Sequence, residues 1–334
     1  MDGPVRSPAG PPPPECPRPQ AVSYLRYVAR RFAFAVASVY AVATLAFVLG
    51  TVMLEWVLGK RLARARYGGA TPEELQEIRE AFGAARGLDA PLHERYLDWL
   101  VDVTTLEWGY SFAYRTDVIT VLDGRVGNTL EYVLPGVALA VLLGVPLGVA
   151  AALAKDTAFD WSVRLGAYAL FGVPAFVLLI VAALVAPAEA LQPGGLLAPK
   201  PLAAVAVAAG LLAGQMRFAR VAALERTGEA FVKTVKAKGA GRLRMGRHVL
   251  RNAALPVVSL SVTELLGVLV LQIYVIEEVL PIRGLAEASL RAIAAADVAL
   301  VVWTTMVIVA IGIAGNFLKD VLYGLLDPRV GTGD

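Results

Sequence analysis

Glu264 stands near the middle of an apolar run, Asn252 to Ile276, that is otherwise long enough to cross a membrane. An ionised carboxylate at the centre of a bilayer costs about 2.5–3.5 kcal/mol on insertion scales, so it must face a bundle interior, a wet cavity or a polar partner. Gln272 lies eight residues further on, near the same helical face and about 12 Å along the axis. Two chemistries fit the pair. One is the lining of a translocation pathway that meets a cationic or amine-bearing solute, or a metal ion. The other is a hydrogen bond across a helix or subunit interface, with Glu264 protonated. His93 and His248 are the only histidines; they are expected on opposite sides of the membrane and cannot share a metal. No nucleophile–base pair falls within an apolar run, which argues against an intramembrane hydrolase. The chain also lacks a G-x-x-x-x-G-K-[ST] phosphate loop, for Gly59-Lys60-Arg61 is not one. ATP, if used, is handled by another polypeptide. Cys16 is the single cysteine and cannot form an internal disulfide.

Membrane helices must position these residues. Of 334 residues, 57% are hydrophobic and 18% charged, with a mean hydropathy of +0.62. A soluble domain is about 45–50% apolar and about 25% charged. The composition excludes a disordered chain and a disulfide scaffold. A net charge of +3 excludes nucleic-acid binding by bulk charge. A hydrocarbon core of about 30 Å needs about 20 apolar residues. Phe32–Leu54, Tyr132–Ala154, Leu165–Ala188 and Val298–Leu318 meet that length without interruption. Pro201–Met216 has only 16 residues and spans if Lys200 and Arg217 snorkel or the bilayer thins. With Asn252–Ile276 the count is six. Phe32–Leu54 is too long for a signal-peptide core and lacks a small-residue cleavage site, so it reads as a permanent helix.

Lysine and arginine set the orientation. Arg26, Arg30 and Arg31 precede the first span, and residues 217–251 hold ten Lys/Arg against two acids. Residues 55–131 hold nine Lys/Arg against thirteen acids, and 277–297 are also net acidic. Both termini and the basic segment are therefore expected in the cytoplasm. Residues 1–22, with eight prolines in the first twenty, read as a disordered cytoplasmic tail. In the outer segment, Thr71-Pro72-Glu73-Glu74 is a capping box with proline at the first helical position, and Gly83 can end that helix. A second helix from Pro91 puts Leu92, Tyr96, Trp99 and Leu100 on one face. These helices read either as a small cap packed on the bundle or as a docking surface for an external partner. In the basic segment, Gly228 interrupts the chain. Glu229–Lys238 then has good helix formers, with acid first and base last as the helix dipole favours, and Gly239 and Gly241 can end it. Positive charge alone would set topology and touch anionic lipid, but would not require a short small-residue helix closed by glycine.

Phe231-Val-Lys-Thr-Val-Lys-Ala-Lys-Gly239, followed by His248-Val-Leu-Arg-Asn252 and Leu255-Pro256, resembles the permease subunits of binding-protein-dependent ABC importers of the dipeptide/oligopeptide/nickel family. The likeness extends to Tyr24–Arg31, Gly87–Leu92 with Tyr96, Asn128–Glu131, and the closing Asn316, Asp320, Tyr323 and Asp327-Pro-Arg329. It covers roughly residues 23–330. Two outer motifs depart from the family: Glu55-Trp-Val-Leu-Gly59 replaces a glycine-aspartate-proline, and Glu277–Ala286 alters a glutamate-x-x-phenylalanine-x-x-proline-glycine-x-glycine run.

The resemblance implies an all-α, polytopic bundle of about six transmembrane helices, like a type I ABC importer permease. Residues 23–330 would form the permease domain, with an extracytoplasmic insertion at about 55–131 and a cytoplasmic coupling loop at about 217–251. It implies no enzyme activity and no cofactor in this chain; ATP and Mg would belong to partner ATPase subunits. The other partners would be a second permease in a heterodimer, an extracytoplasmic substrate-binding protein and membrane lipid, with no nucleic acid. Glu229, Ala230, Phe231, Lys233, Lys236, Lys238 and Gly239 would form the lever in the ATPase groove, with Phe231 its aromatic anchor. Glu264, Gln272 and Asn316 would line the pathway. The solute would be a peptide or related small molecule, or nickel. A proton-coupled secondary transporter using Glu264 is the other reading, though no internal repeat supports it.

Overall fold

The computed structural model describes residues 21–192, 194–195, 197–227, 237, 239, 241, 244–250 and 270–326. Helix α1 (Ala21–Tyr67) has 47 residues, about 70 Å at 1.5 Å per residue. The apolar run ends at Leu54, yet the helix continues through Glu55, Lys60 and Arg61. A charge ends a membrane-compatible run but not a helix, and Leu, Ala, Lys, Arg and Glu are all strong helix formers. Gly68 and Gly69 stop it, Gly69 at φ +90°.

Helices α2 (Pro72–Ala84) and α3 (Leu92–Thr105) follow. The Thr71 hydroxyl accepts from the Glu74 N–H at 3.3 Å, and the Glu74 carboxylate accepts from the Thr71 N–H at 2.8 Å. This is the expected capping box. Helix α2 runs one residue past Gly83, and α3 starts directly after Pro91. Tyr96 and Trp99 pack on α1: the two hydroxyls of Tyr96 and Thr44 are 2.9 Å apart, and the Trp99 indole donates to the Ala43 carbonyl at 2.9 Å. Leu92, on the same expected face, is exposed. A two-stranded antiparallel pair, β1 (Tyr110–Ser111) and β2 (Thr116–Asp117), comes next. Asp297 holds it, accepting from the Ser111 hydroxyl at 2.7 Å and the Ala113 N–H at 2.9 Å.

Helix α4 (Val118–Leu153) contains the expected second span and begins fourteen residues before it. The third span is not one helix. It divides into α5 (Ala158–Gly172) and α6 (Ala175–Val185), bent by 76°. Pro174 cannot donate the next helical hydrogen bond and drives Val173 to an extended conformation. Helix α7 (Pro199–Thr227) carries the short fifth apolar stretch within 29 residues. The ammonium of Lys200 at its start donates to Asn128 Oδ1 at 2.9 Å and pairs with Glu131. The described helical residues 244–250 (α8) and 270–279 (α9) follow, then α10 (Leu285–Ala294) and α11 (Val298–Leu326). The remaining expected span, Asn252–Ile276, lies mostly outside the described residues.

The start of α1 meets the end of α11. Tyr24 and Tyr27 donate to the carbonyls of Val321 and Asp320, and Arg31 lies 3.5 Å from the Asp320 carboxylate. Both helix ends therefore sit on one face of the bundle, here termed the terminal face, and the membrane crossings between them must be even in number. Helices α4 and α7 pack in parallel, Gly136 against Ala204 and Val207, Gly148 against Met216 and Arg220. The bent α5–α6 pair must carry the chain back across between them. Apolar clusters fill the α4–α7–α9 interior and the α1–α4–α11 interior.

Candidate functional site

The tightest element of the bundle is the α4–α7 seam. Gly136, Ala140, Gly144 and Gly148 recur every four residues on one face of α4. A Cβ added at Gly144 would lie 2.6 Å from Gln215 Cβ, and one at Gly148 would lie 2.4 Å from the Met216 carbonyl oxygen. Only glycine permits this approach, and small residues every four positions are how membrane helices gain close backbone packing. Ala203, Ala219 and Ala223 on α7 are buried on the other side of the contact.

A buried carboxylate lies at each end of the seam, one bound to α4 and one to α7. At the face opposite the termini, Glu277 at the end of α9 is 3% exposed. It accepts from the Thr129 hydroxyl at 2.6 Å, the Tyr132 hydroxyl at 2.9 Å and the Glu287 N–H at 2.8 Å. Thr129 in turn accepts from the Leu285 N–H at 2.8 Å. Gly284 lies against the carboxylate, where a Cβ would fall 2.1 Å from its oxygen. The turn between α9 and α10 is thus pinned onto α4. Around it, Asn128 donates to the Arg283 carbonyl at 3.0 Å, Arg125 pairs with Glu287, and Lys200 joins α7 to Asn128 and Glu131.

At the terminal-face end, Asp160 of α5 is fully buried and receives a two-pronged contact from Arg220 of α7. Nε donates to Oδ1 at 2.7 Å and Nη2 to Oδ2 at 2.8 Å. The Asp156 N–H adds a third bond at 3.1 Å. Thr157 caps α5 and so sets Asp160 at the first turn. The Arg217 guanidinium sits over the Phe171 ring at 5.2 Å. Helix α7 is therefore a continuous rod of about 44 Å, tied at both ends, that leads directly into the basic segment.

The sequence-derived residues fall as follows. Glu229, Ala230, Phe231, Lys233, Lys236, Lys238 and Glu264 lie outside the described residues. Gly239 is described, with φ +73°, a left-handed conformation that favours glycine at a helix end. His248 is exposed on α8, and His93 is exposed on α3. Gln272 packs its amide against Gly210 of α7, where a Cβ would collide with it at 1.7 Å. Asn316 is exposed on α11, donates to the Gly312 carbonyl of its own helix at 3.2 Å and accepts from Lys319 at 3.2 Å. Among the described residues no hydrogen bond joins Gln272 to Asn316.

Glu277, Asp160 and the α4 glycines were not among the sequence candidates. The glycine spacing was visible as a period of four in an apolar run. Glu277 was visible only as part of an altered motif. The side-chain partners of the two carboxylates lie 60 to 148 residues away, so no local pattern marks the pairing.

Comparison with known proteins adds the following. The profile of a family described as "Binding-protein-dependent transport system inner membrane component" matches residues 144–332. A Brucella suis protein whose name provisionally makes it a peptide permease is 30% identical over 267 residues, covering 75% of this chain and 83% of the relative. The dipeptide transport system permease protein DppB of Bacillus subtilis is 29% identical over 325 residues, 91% of this chain and 97% of the relative. The oligopeptide transport system permease protein AppB of the same organism is 26% identical over 278 residues, 78% and 87% respectively.

Proposed function

This chain belongs to the family of binding-protein-dependent transport system inner membrane components, and on that premise we propose that it is the multi-pass permease subunit of an ATP-driven peptide importer. It is a transport component and not an enzyme. The observation that carries the peptide reading is the likeness over 91% of the chain to a relative named as a dipeptide permease. Peptide is preferred to nickel because the relatives reported above are named for peptides.

In this reading the terminal face is cytoplasmic, in line with Arg26, Arg30, Arg31 and the ten cations of residues 217–251. The coupling lever is residues 226–241, bearing Glu229, Ala230, Phe231, Lys233, Lys236, Lys238 and Gly239. Its position directly after α7 supports the assignment. A push on the lever would load a rod that is clamped to α5 by Asp160–Arg220 and to the opposite face by Lys200. The ATPase subunits, which hold ATP and Mg, would dock on the lever. A binding protein would deliver solute at the opposite face, and a second permease would complete the pathway as a heterodimer. Glu264 and Gln272 remain the proposed pathway residues in the Asn252–Ile276 run, with Asn316 on α11.

Purification of the tagged chain from its own cells tests the reading. An ATPase and a second permease are expected to co-purify, and solute should stimulate ATP hydrolysis. Replacing Phe231 and Gly239 together, as Phe231→Ala with Gly239→Val, should abolish that stimulation while leaving membrane insertion intact. Unchanged stimulation in the double variant would remove the lever assignment.

A further inference from the structure

A cavity of about 370 Å³ opens at the face opposite the termini, between α1, α3, the β1–β2 hairpin and the start of α11. It is separate from the α4–α7 seam. Arg95, Trp99 and Asp102 of α3 line it at i, i+4 and i+7, which is one helical face. Trp108 and Trp303 add to the aromatic wall, with Trp303 4.4 Å from Trp99 and 4.6 Å from Trp108, centroid to centroid. Arg86 completes the lining. Its guanidinium is held between the rings of Phe82 at 3.9 Å and Phe112 at 4.2 Å.

Within the described residues these charges have no contacting counter-ion, though Arg86 is met by the two rings and, at longer range, by the Asp297 charge. Among the described residues, no ion pair or side-chain hydrogen bond is made by Arg86, Arg95 or Asp102. Burial pushes Arg86 down from the usual arginine range. Burial first, then the nearby Asp98 and Glu107, push Asp102 up from the usual carboxylate range. Partly desolvated charges without counter-ions are costly in a structure, and a concave aromatic pocket with a few convergent polar groups is the usual form of a small-molecule site.

Resting on the peptide-importer reading, we propose that this cavity is a second solute site that takes short zwitterionic peptides bearing an aromatic or large apolar side chain. The peptide carboxylate meets Arg95 and Arg86, the ammonium meets Asp102, and the side chain lies on the tryptophan wall. Arg95 and Asp102 are seven residues apart on α3, about 10.5 Å along the axis. A free amino acid is too short to span that distance. At about 3.3–3.6 Å per extended residue, a tripeptide matches that rise, and a dipeptide reaches it with the long, flexible Arg95 side chain closing the rest. The α3 face therefore selects length as well as charge.

The test uses the full chain with its co-purifying subunits in phosphatidylcholine nanodiscs, without a binding protein, and reads tryptophan fluorescence. Leucyl-phenylalanine should give a saturable change. N-acetylation or C-terminal amidation of that dipeptide should weaken its apparent affinity at least tenfold on the unaltered protein. Asp102→Asn should weaken binding of the free dipeptide by a similar factor and leave binding of the N-acetyl form unchanged. Arg95→Gln should do the same with respect to the amidated form. No saturable response, or a response insensitive to both end groups and both substitutions, would overturn the proposal and leave the cavity as a place for lipid or detergent. ATP-driven uptake, measured separately with the binding protein present, reports on the transport reading, so failure of one is distinguishable from failure of the other.

Discussion

Glu277 and Asp160 do the same physical work at opposite ends of one helix pair. Each is a carboxylate removed from water, and each is tolerated because its oxygens are filled by donors from another helix. The cost of breaking them differs. Asp160→Asn leaves the half-buried Arg220 guanidinium without its counter-ion, and losing a hydrogen bond to a charged group costs about 1.5–3 kcal/mol. We expect a clear fall in the thermal midpoint of the purified chain, and no recovery in Arg220→Lys, which cannot reproduce the two-pronged geometry. Glu277→Gln keeps an acceptor for the two hydroxyls but sets an amide NH2 donor against the Glu287 N–H, which then has no acceptor there. A loss of about 1–3 kcal/mol is expected, seen as faster proteolysis of the turn at residues 280–284. If that turn is cut no faster than in the parent, the latch does not hold it.

Among the elements, those defined by local chemistry were legible in the sequence and those defined by distant partners were not. Thr71-Pro72-Glu73-Glu74 announced α2, and Pro91 announced α3. The apolar runs placed α1, α4, α7 and α11 but not their ends, because Glu55 closes an apolar run without closing a helix. Pro174 lies inside the third apolar run, where hydropathy alone does not register it, yet it breaks that span by 76°. Thr71→Ala should cost about 1 kcal/mol in α2, read as faster amide exchange confined to that helix. Glu73 beside it is held below the usual carboxylate range by its own backbone N–H and then by the Thr71 hydroxyl. Its contribution is therefore present above the unfolded-state value and fades as pH falls through the folded one, so α2 protection factors, corrected for the intrinsic exchange rate, should fall only in acid. Gly148→Val should drive α4 off α7, since the Met216 carbonyl oxygen lies 2.4 Å from the new Cβ. Overpacking of this kind costs about 1–3 kcal/mol, and the same substitution at Gly166, with open space around it, should cost much less.

The whole molecule is a bundle whose first and last helices close on one face, with a rod, α7, running from the opposite face toward a basic segment. Membrane character, an even number of crossings and the basic segment were open to a reading of charge and hydropathy, because both act through composition over long windows. The pathway was not, because it depends on which helix faces which. Gln272 is placed against Gly210 by α7 packing, a fact that no periodicity in its own helix contains. The reading of an externally powered gate is tested most directly by peptide uptake into proteoliposomes holding this chain, its co-purifying subunits and the binding protein. Uptake is expected only with hydrolysable ATP on the side of the basic segment, and it should survive collapse of the proton gradient. Uptake that proceeds without nucleotide and stops when the gradient is dissipated would contradict that reading.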